Sequence, residues 1–314
     1  MSRPVPVVAE VVRNGFVESR HHGHVVAFAA DGNVVIDIGD TAAPVLPRSS
    51  LKPLQTLAFL RNGWRPQDDE QIALATASHS GEDRHVTVVR RILAQAGLDE
   101  SHLQNTPDLP LHTPSAHALL RAGGGADRLH NNCSGKHAAM LATCVANGWS
   151  VDNYLEVDHP VQLAARAATE DLCAEPVSAV AVDGCGAPAF AVSLRGLARA
   201  FATLIDSDVA RAMRAHPDLV GGSGRDVTAL MRAVPGMIAK DGAEGVYAAA
   251  LDDGSSVAIK IADGAGRART PVLVAALVAL RVDASTLTEL SSRPVLGHGA
   301  VIGRVRAMPL PPNR

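Results

Sequence analysis

Two pairs of short apolar runs, one near each end of the chain, restrict its possible folds more than any other feature. Val25-Val26-Ala27-Phe28 and Val34-Val35-Ile36 flank Asp31-Gly32. Residues 246–251 and 256–261 flank Asp252-Asp253-Gly254. A turn dipeptide tolerant of positive φ between two apolar runs is a hairpin signal. Between the pairs the pattern becomes helical, over residues 84–96, 135–147, 160–173 and 194–205, with a further apolar helix at 269–280. Residues 177–182 read as a short strand ending in the tight turn Asp183-Gly184-Cys185-Gly186. Strands, helices, strands and a helix in that order predict an α/β fold. An antiparallel sheet closed by both chain ends is flanked by helices, with an inserted helical lobe. One domain is expected over 1–314, its sheet lobe from roughly 1–60 and 175–314 and its helical lobe from roughly 61–174.

Composition excludes several classes of function. Net charge is −3, no long basic run is present and aromatic residues make up 3%, which argues against nucleic acid as a partner. Hydrophobic content of 47% with 19% charged residues is that of a globular chain. Only the last residues, around Pro309, Pro311 and Pro312, are expected to lack order. Residues 1–12 lack a charged segment followed by a long apolar run, so no secretory leader is expected. The apolar stretch 271–280 is too short to span a bilayer. A cytoplasmic location follows as an expectation. In that compartment Cys133, Cys144, Cys173 and Cys185 are expected as free thiols or ligands.

The chemistry begins at Arg48-Ser49-Ser50-Leu51-Lys52-Pro53. Ser49 and Lys52 spell S-x-x-K, which puts hydroxyl and amine on one helical face. A serine hydroxyl needs a base beside it, and a lysine serves when its surroundings favour the neutral amine. Pro53 fits the first turn of a helix over 49–62, which puts Ser49 at the N-cap, beside free amides able to hold an oxyanion. A capping serine followed by a solvated lysine gives the same string.

Four further clusters are dense in reactive groups. Ser78-His79-Ser80-Gly81-Glu82 ends a buried run; Ser80 reads as a helix cap, while capping explains Ser78 less well. Asn131-Asn132-Cys133-Ser134-Gly135-Lys136-His137 opens a helix, yet it fails the phosphate-loop pattern because His137 stands where Ser or Thr is needed. Asp183-Gly184-Cys185-Gly186 exposes polar groups at a strand end. Lys260 lies inside a strand, on the face opposite Ile259 and Ile261. Gly221-Gly222-Ser223-Gly224 is not a nucleophile elbow, since Arg225 replaces the last glycine. His21, His22 and His24 have no accompanying zinc pattern and read as polar strand residues.

Taken together and in this order, the clusters resemble the Rhizobium-type L-asparaginases, the asparaginase II or class 3 family. The likeness runs along most of the chain, and Asn132-Cys133-Ser134-Gly135-Lys136-His137 is its most specific part. It implies a fold similar to the serine β-lactamases and serine-dependent glutaminases. It implies two serine–lysine tandems, Ser49 with Lys52 and Ser78 with Lys260, and a zinc site of Cys133, Lys136 and Cys185. It further implies a homodimer and hydrolysis of L-asparagine to L-aspartate and ammonia. For the free amino acid, Asp183 is the candidate for the α-ammonium group, and Arg48 or His137 for the α-carboxylate. The S-D-N and K-T-G motifs of the β-lactamases are missing in recognisable form. Glutaminase activity is the alternative within the class, and a non-catalytic amino-acid-binding protein is the alternative outside it.

Overall fold

A computed structural model describes residues 5–311 of the chain; Pro312 lies outside the described residues. In chain order the strands are β1 (Val7–Arg13), β2 (Phe16–Phe28), β3 (Val34–Ile38), β4 (Pro44–Val45), β5 (Ala179–Val182), β6 (Pro188–Ser193), β7 (Ile238–Gly242), β8 (Val246–Ala250), β9 (Ser256–Ile261), β10 (Ser292–Gly297) and β11 (Ala300–Ala307). The chain divides into two compact units. The first holds residues up to Ser50, Val192–Ile205 and Leu230 onward; the second holds Leu51–Ala191 and Asp206–Ala229.

In the first unit β10-β11-β1-β2-β9-β8-β7 form one sheet, with β3 also beside β2. Both hairpins read from the sequence are there: Val25 faces Ile38 across β2 and β3, and Ala250 faces Ser256 across β8 and β9. Two more hairpins turn on Asn14-Gly15 and His298-Gly299, where all four residues have positive φ. That is the type I′ geometry whose twist matches the strands it joins. β1 lies between β2 and β11, so Ala9 faces Ala307 and both chain ends do close the sheet. β7 and β8 are buried at every position, and in β9 only Lys260 is not. Burial without alternation means that both faces are covered. Helices Leu194–Leu204 and Gly266–Ala279 pack against these strands.

The second unit is mostly helical. Helix Ser134–Asn147 is buried along its first eleven residues. Helices Lys52–Arg61, Asp69–Ala75 and Asp83–Gln95 all pack on it. A helix buried on all sides is the core of its unit. Lys52–Arg61 also packs on Pro160–Cys173, which explains why residues 51–60 go with the helices and not with the sheet. β5 pairs with the start of β6, Val182 against Pro188, around the expected turn at Asp183.

The helix after Ser49 starts later than the sequence suggests. Residues Arg48–Leu51 form a 3₁₀ turn that runs into the α-helix at Lys52, with Leu51 as its N-cap. Ser49 is therefore no cap. Pro53 keeps its place in the first turn, where a missing N–H costs nothing. Ser80 does not cap its helix either. Glu82 does, its backbone N–H bonded to His85 Nδ1 at 3.0 Å.

Candidate active site

In the first unit Ser49 is half-buried and follows a strained residue. Arg48 has φ +54°, a left-handed conformation unusual for a side chain of its size. Such strain is kept only where surrounding contacts enforce it. Those contacts come from β7. Ser50 Oγ donates to Lys240 O at 3.1 Å. A Cβ on Gly242 would lie 2.4 Å from Pro47 O and 2.9 Å from Ser50 Oγ, so only glycine lets the turn seat this closely.

Beside that turn, β7 carries a lysine that no pattern in the sequence flagged. Lys240 is fully buried, and its Nζ donates to Asp241 O and Asp241 Oδ1, both at 2.7 Å. Asp241 also takes Arg269 Nη2 at 3.0 Å, and that guanidinium lies over the Tyr247 ring. A buried charge persists only when paired this completely. Lys240-Asp241-Gly242 differs from K-T-G only in its middle residue, and Asp241 hid the match. Lys260 is placed differently. It is half-buried, and its Nζ donates to the carbonyls of Glu244 and Ile261. Burial, opposed by Glu244 and Asp263, lowers its pKa.

In the second unit Lys52 is 1% exposed and makes three hydrogen bonds. They go to Ala77 O at 2.5 Å, Ser78 Oγ at 3.2 Å and Cys133 Sγ at 3.2 Å. The amine thus joins the second and third clusters of the sequence. His79, fully buried, braces them. Its Nδ1 accepts from Gly81 N at 3.1 Å, so its Nε2 carries the proton and donates to Ser134 Oγ at 2.9 Å. Ser134 Oγ in turn donates to Leu129 O at 2.7 Å. Burial, then the cationic forms of His85 and Lys52, push the His79 pKa well below its usual value.

Cys133, Lys136 and Cys185 come together in the same unit. Lys136 Nζ is 3.5 Å from Cys185 Sγ, and the Cys133 thiol donates to Asn132 Oδ1 at 3.1 Å. The neighbouring Cys133 side chain, aided by Lys136 and His137 against the cost of burial, pulls the Cys185 pKa far down. Cys185 and burial push Cys133 well up. For Lys136 burial acts downward, but the Cys185 thiolate, Cys133 and Asp183 outweigh it and the pKa rises. His137 is fully buried, with Nδ1 2.8 Å from the Tyr154 hydroxyl and Nε2 against Cys185, without a conventional hydrogen bond. Burial lowers its pKa. A ring with no exposed edge is badly placed to clamp a substrate carboxylate, the role suggested by the sequence. Asp183 is half-buried at the turn, and its carboxylate accepts from Gly184 N at 2.8 Å. Cys144 and Cys173 are buried elsewhere, each pushed up to about 12 by burial.

Two sulfurs and an amine are donors of the kind that suits a soft ion such as zinc. Among the described residues no three His, Cys, Asp or Glu side chains group to hold a metal, so an ion here would depend on Lys136. No helix among the described residues is long and apolar enough to cross a membrane.

Comparison with curated proteins gives no match. Among solved structures the chain is similar to a β-lactamase from Mycobacterium bovis, with 16% identity and a TM-score of 0.38 over 92% of this chain and 96% of that one. Mglu in its native form shows 15% identity and a TM-score of 0.36, over 85% of this chain and 64% of that one. Mglu in its tris and glutamate form gives 15% and 0.37, over 90% and 62%. A model of the L-asparaginase II family matches residues 9–307. The chain belongs to the L-asparaginase II family.

Proposed function

We propose that the chain hydrolyses L-asparagine through an acyl-enzyme formed on serine, with lysine as the base. Family membership assigns an amidohydrolase of the asparagine type. The observation that carries the serine–lysine reading is the buried amine of Lys52, 3.2 Å from the Ser78 hydroxyl and bonded to no carboxylate among the described residues. A binding module has no use for that arrangement.

Ser49 Oγ attacks the side-chain amide carbon and Lys52 takes its proton. Ser78 passes that proton from Lys52 to the departing nitrogen, which leaves as ammonia. Water then attacks the acyl-enzyme, returning the proton to Ser49 and releasing aspartate. The strained backbone at Arg48 supports Ser49 as nucleophile. For the second tandem, Lys240, whose carbonyl accepts from Ser50 Oγ beside the Ser49 turn, is a candidate in addition to Lys260. Asp183 is the candidate for the substrate ammonium and Arg48 for its carboxylate. Cys133, Lys136 and Cys185 would hold a zinc ion, which would supply a fixed positive centre ordering the loops that carry them. A homodimer belongs to this reading through the family resemblance alone, and a cytoplasmic location through the sequence expectation; light scattering tests the dimer.

Ammonia release measured with asparagine and glutamine side by side tests the substrate; faster turnover of glutamine would make the chain a glutaminase. One observation favours a second reading, in which Ser78 attacks: Lys52 is bonded to Ser78 itself. Mass spectrometry of a quenched acyl-enzyme decides between the serines. Acylation at Ser78, with Ser49→Ala still active, would reverse their roles.

A further inference from the structure

The glycine-rich run after Val220 gains a role from its contacts in the second unit. Ser78 lies in neither a helix nor a strand, so no regular ladder fixes its peptide. Its N–H donates to Val220 O at 3.2 Å, and its carbonyl accepts from Arg225 Nη1 at 3.0 Å. Both backbone groups of Ser78 are thus held by one short segment. That segment is itself pinned. Ser223 donates to the Glu82 carboxylate twice, from N at 2.7 Å and from Oγ at 2.9 Å, and Arg84 Nη2 adds a third donor at 2.8 Å. Gly222, at φ +131°, passes so close that a Cβ there would lie 2.5 Å from Ser80 Oγ. Burial raises the Glu82 pKa, but the Ser223 bonds outweigh it and leave it lowered.

We propose that Val220–Arg225 is a strap that fixes the Ser78 peptide and thereby aims Ser78 Oγ at Lys52, with Arg225 as a positioning residue acting through Ser78. Glu82 holds the strap in place. The inference rests on the reading of Ser78 as a proton-transfer group. An error of about 1 Å in the position of such a group costs about 10²-fold in rate, although the substrate still binds. Removing the strap should therefore lower kcat and spare KM.

The test compares Arg225→Ala, Arg225→Lys, Glu82→Gln and Ser78→Ala in ammonia release and thermal melting. Arg225→Ala should lower kcat by about tenfold or more, with KM within about threefold and the melting temperature nearly unchanged. Arg225→Lys, which keeps a donor, should recover most of the loss. Glu82→Gln should show the same split more weakly. An Arg225→Ala enzyme with normal kcat overturns the proposal. So does a loss that tracks melting temperature and is not recovered by lysine. If Ser78→Ala itself turns over normally, the reading of Ser78 fails instead. A collapse in Ser78→Ala beside a normal Arg225→Ala removes the strap alone.

Discussion

The amine of Lys52 sits 3.2 Å from the hydroxyl of Ser78, joining two residues 26 positions apart. Through the same nitrogen the pair is tied to Cys133. A serine–lysine motif read along the chain becomes a cluster when read across the fold.

Lys52→Arg keeps the charge and much of the length but removes the base, because a guanidinium does not give up its proton in proteins. Its kcat should fall by about 10²-fold or more. Steady-state ammonia release measures this, and an arginine variant keeping more than about a tenth of the rate would end the role of Lys52 as base.

Lys240 and Lys260 should respond oppositely to methionine. Lys240→Met leaves Asp241 buried with one cation fewer and should cost about 3 kcal/mol or more in urea unfolding, with turnover lost as well. Lys260→Met removes bonds to two carbonyls at a half-buried site and should cost under about 1 kcal/mol. Severe loss of turnover in Lys260→Met with little in Lys240→Met would return the second tandem to Lys260.

Gly242→Ala tests the seat of the Ser49 turn. The new methyl would press on Pro47 O, and the turn must move. We expect kcat to drop by about tenfold or more from misplacement of the nucleophile. An alanine variant with unchanged kcat would show that the close approach does not matter for Ser49.

Metal content of the protein after incubation with zinc should show one bound ion, with a melting temperature raised by the excess metal. Cys185→Ser should lose both effects. Lys136 must release a proton to bind, so uptake should weaken as the pH falls. No zinc retained by the wild type would remove the metal from the account.

Stability should fall in mild acid. His79 and His85 are buried, and burial is the largest cause lowering each pKa from 6.5. The unfolded chain protonates them below about pH 6.5 while the folded chain does so only at lower pH, so their contribution is complete above 6.5 and declines below it. Melting temperatures at pH 8, 7, 6 and 5 check this; a level profile would contradict it.

Local signals carried much of the fold. Apolar periodicity placed helices Asp83–Gln95, Ser134–Asn147 and Leu194–Leu204 to within a residue or so, and Asp31-Gly32 marked a real hairpin. β10 and β11 were missed because Arg293-Pro294 and the unbroken apolar run 300–303 interrupt the alternation on exposed strands, although His298-Gly299 marks their turn. The clusters at Ser78, Cys133 and Cys185 were legible because several reactive residues stand together in each. Lys240 was not, because Asp241 stands where K-T-G has threonine and nothing near it in the chain marks the Arg269 guanidinium that completes its pairing. Nor could spacing show Lys52 bonded to Ser78, since that contact depends on packing between helices.

The position of β1 also bears on how the protein is made. One edge of β1 is completed by β11, and Ala9 must wait for Ala307. During translation β1 leaves the ribosome well before β11 and keeps an unpaired edge until β11 has followed. Every residue of the second unit has been synthesised by then, for that unit ends at Ala229. The sheet should therefore be the last part to close, and its early edge the place where a chaperone would be most useful.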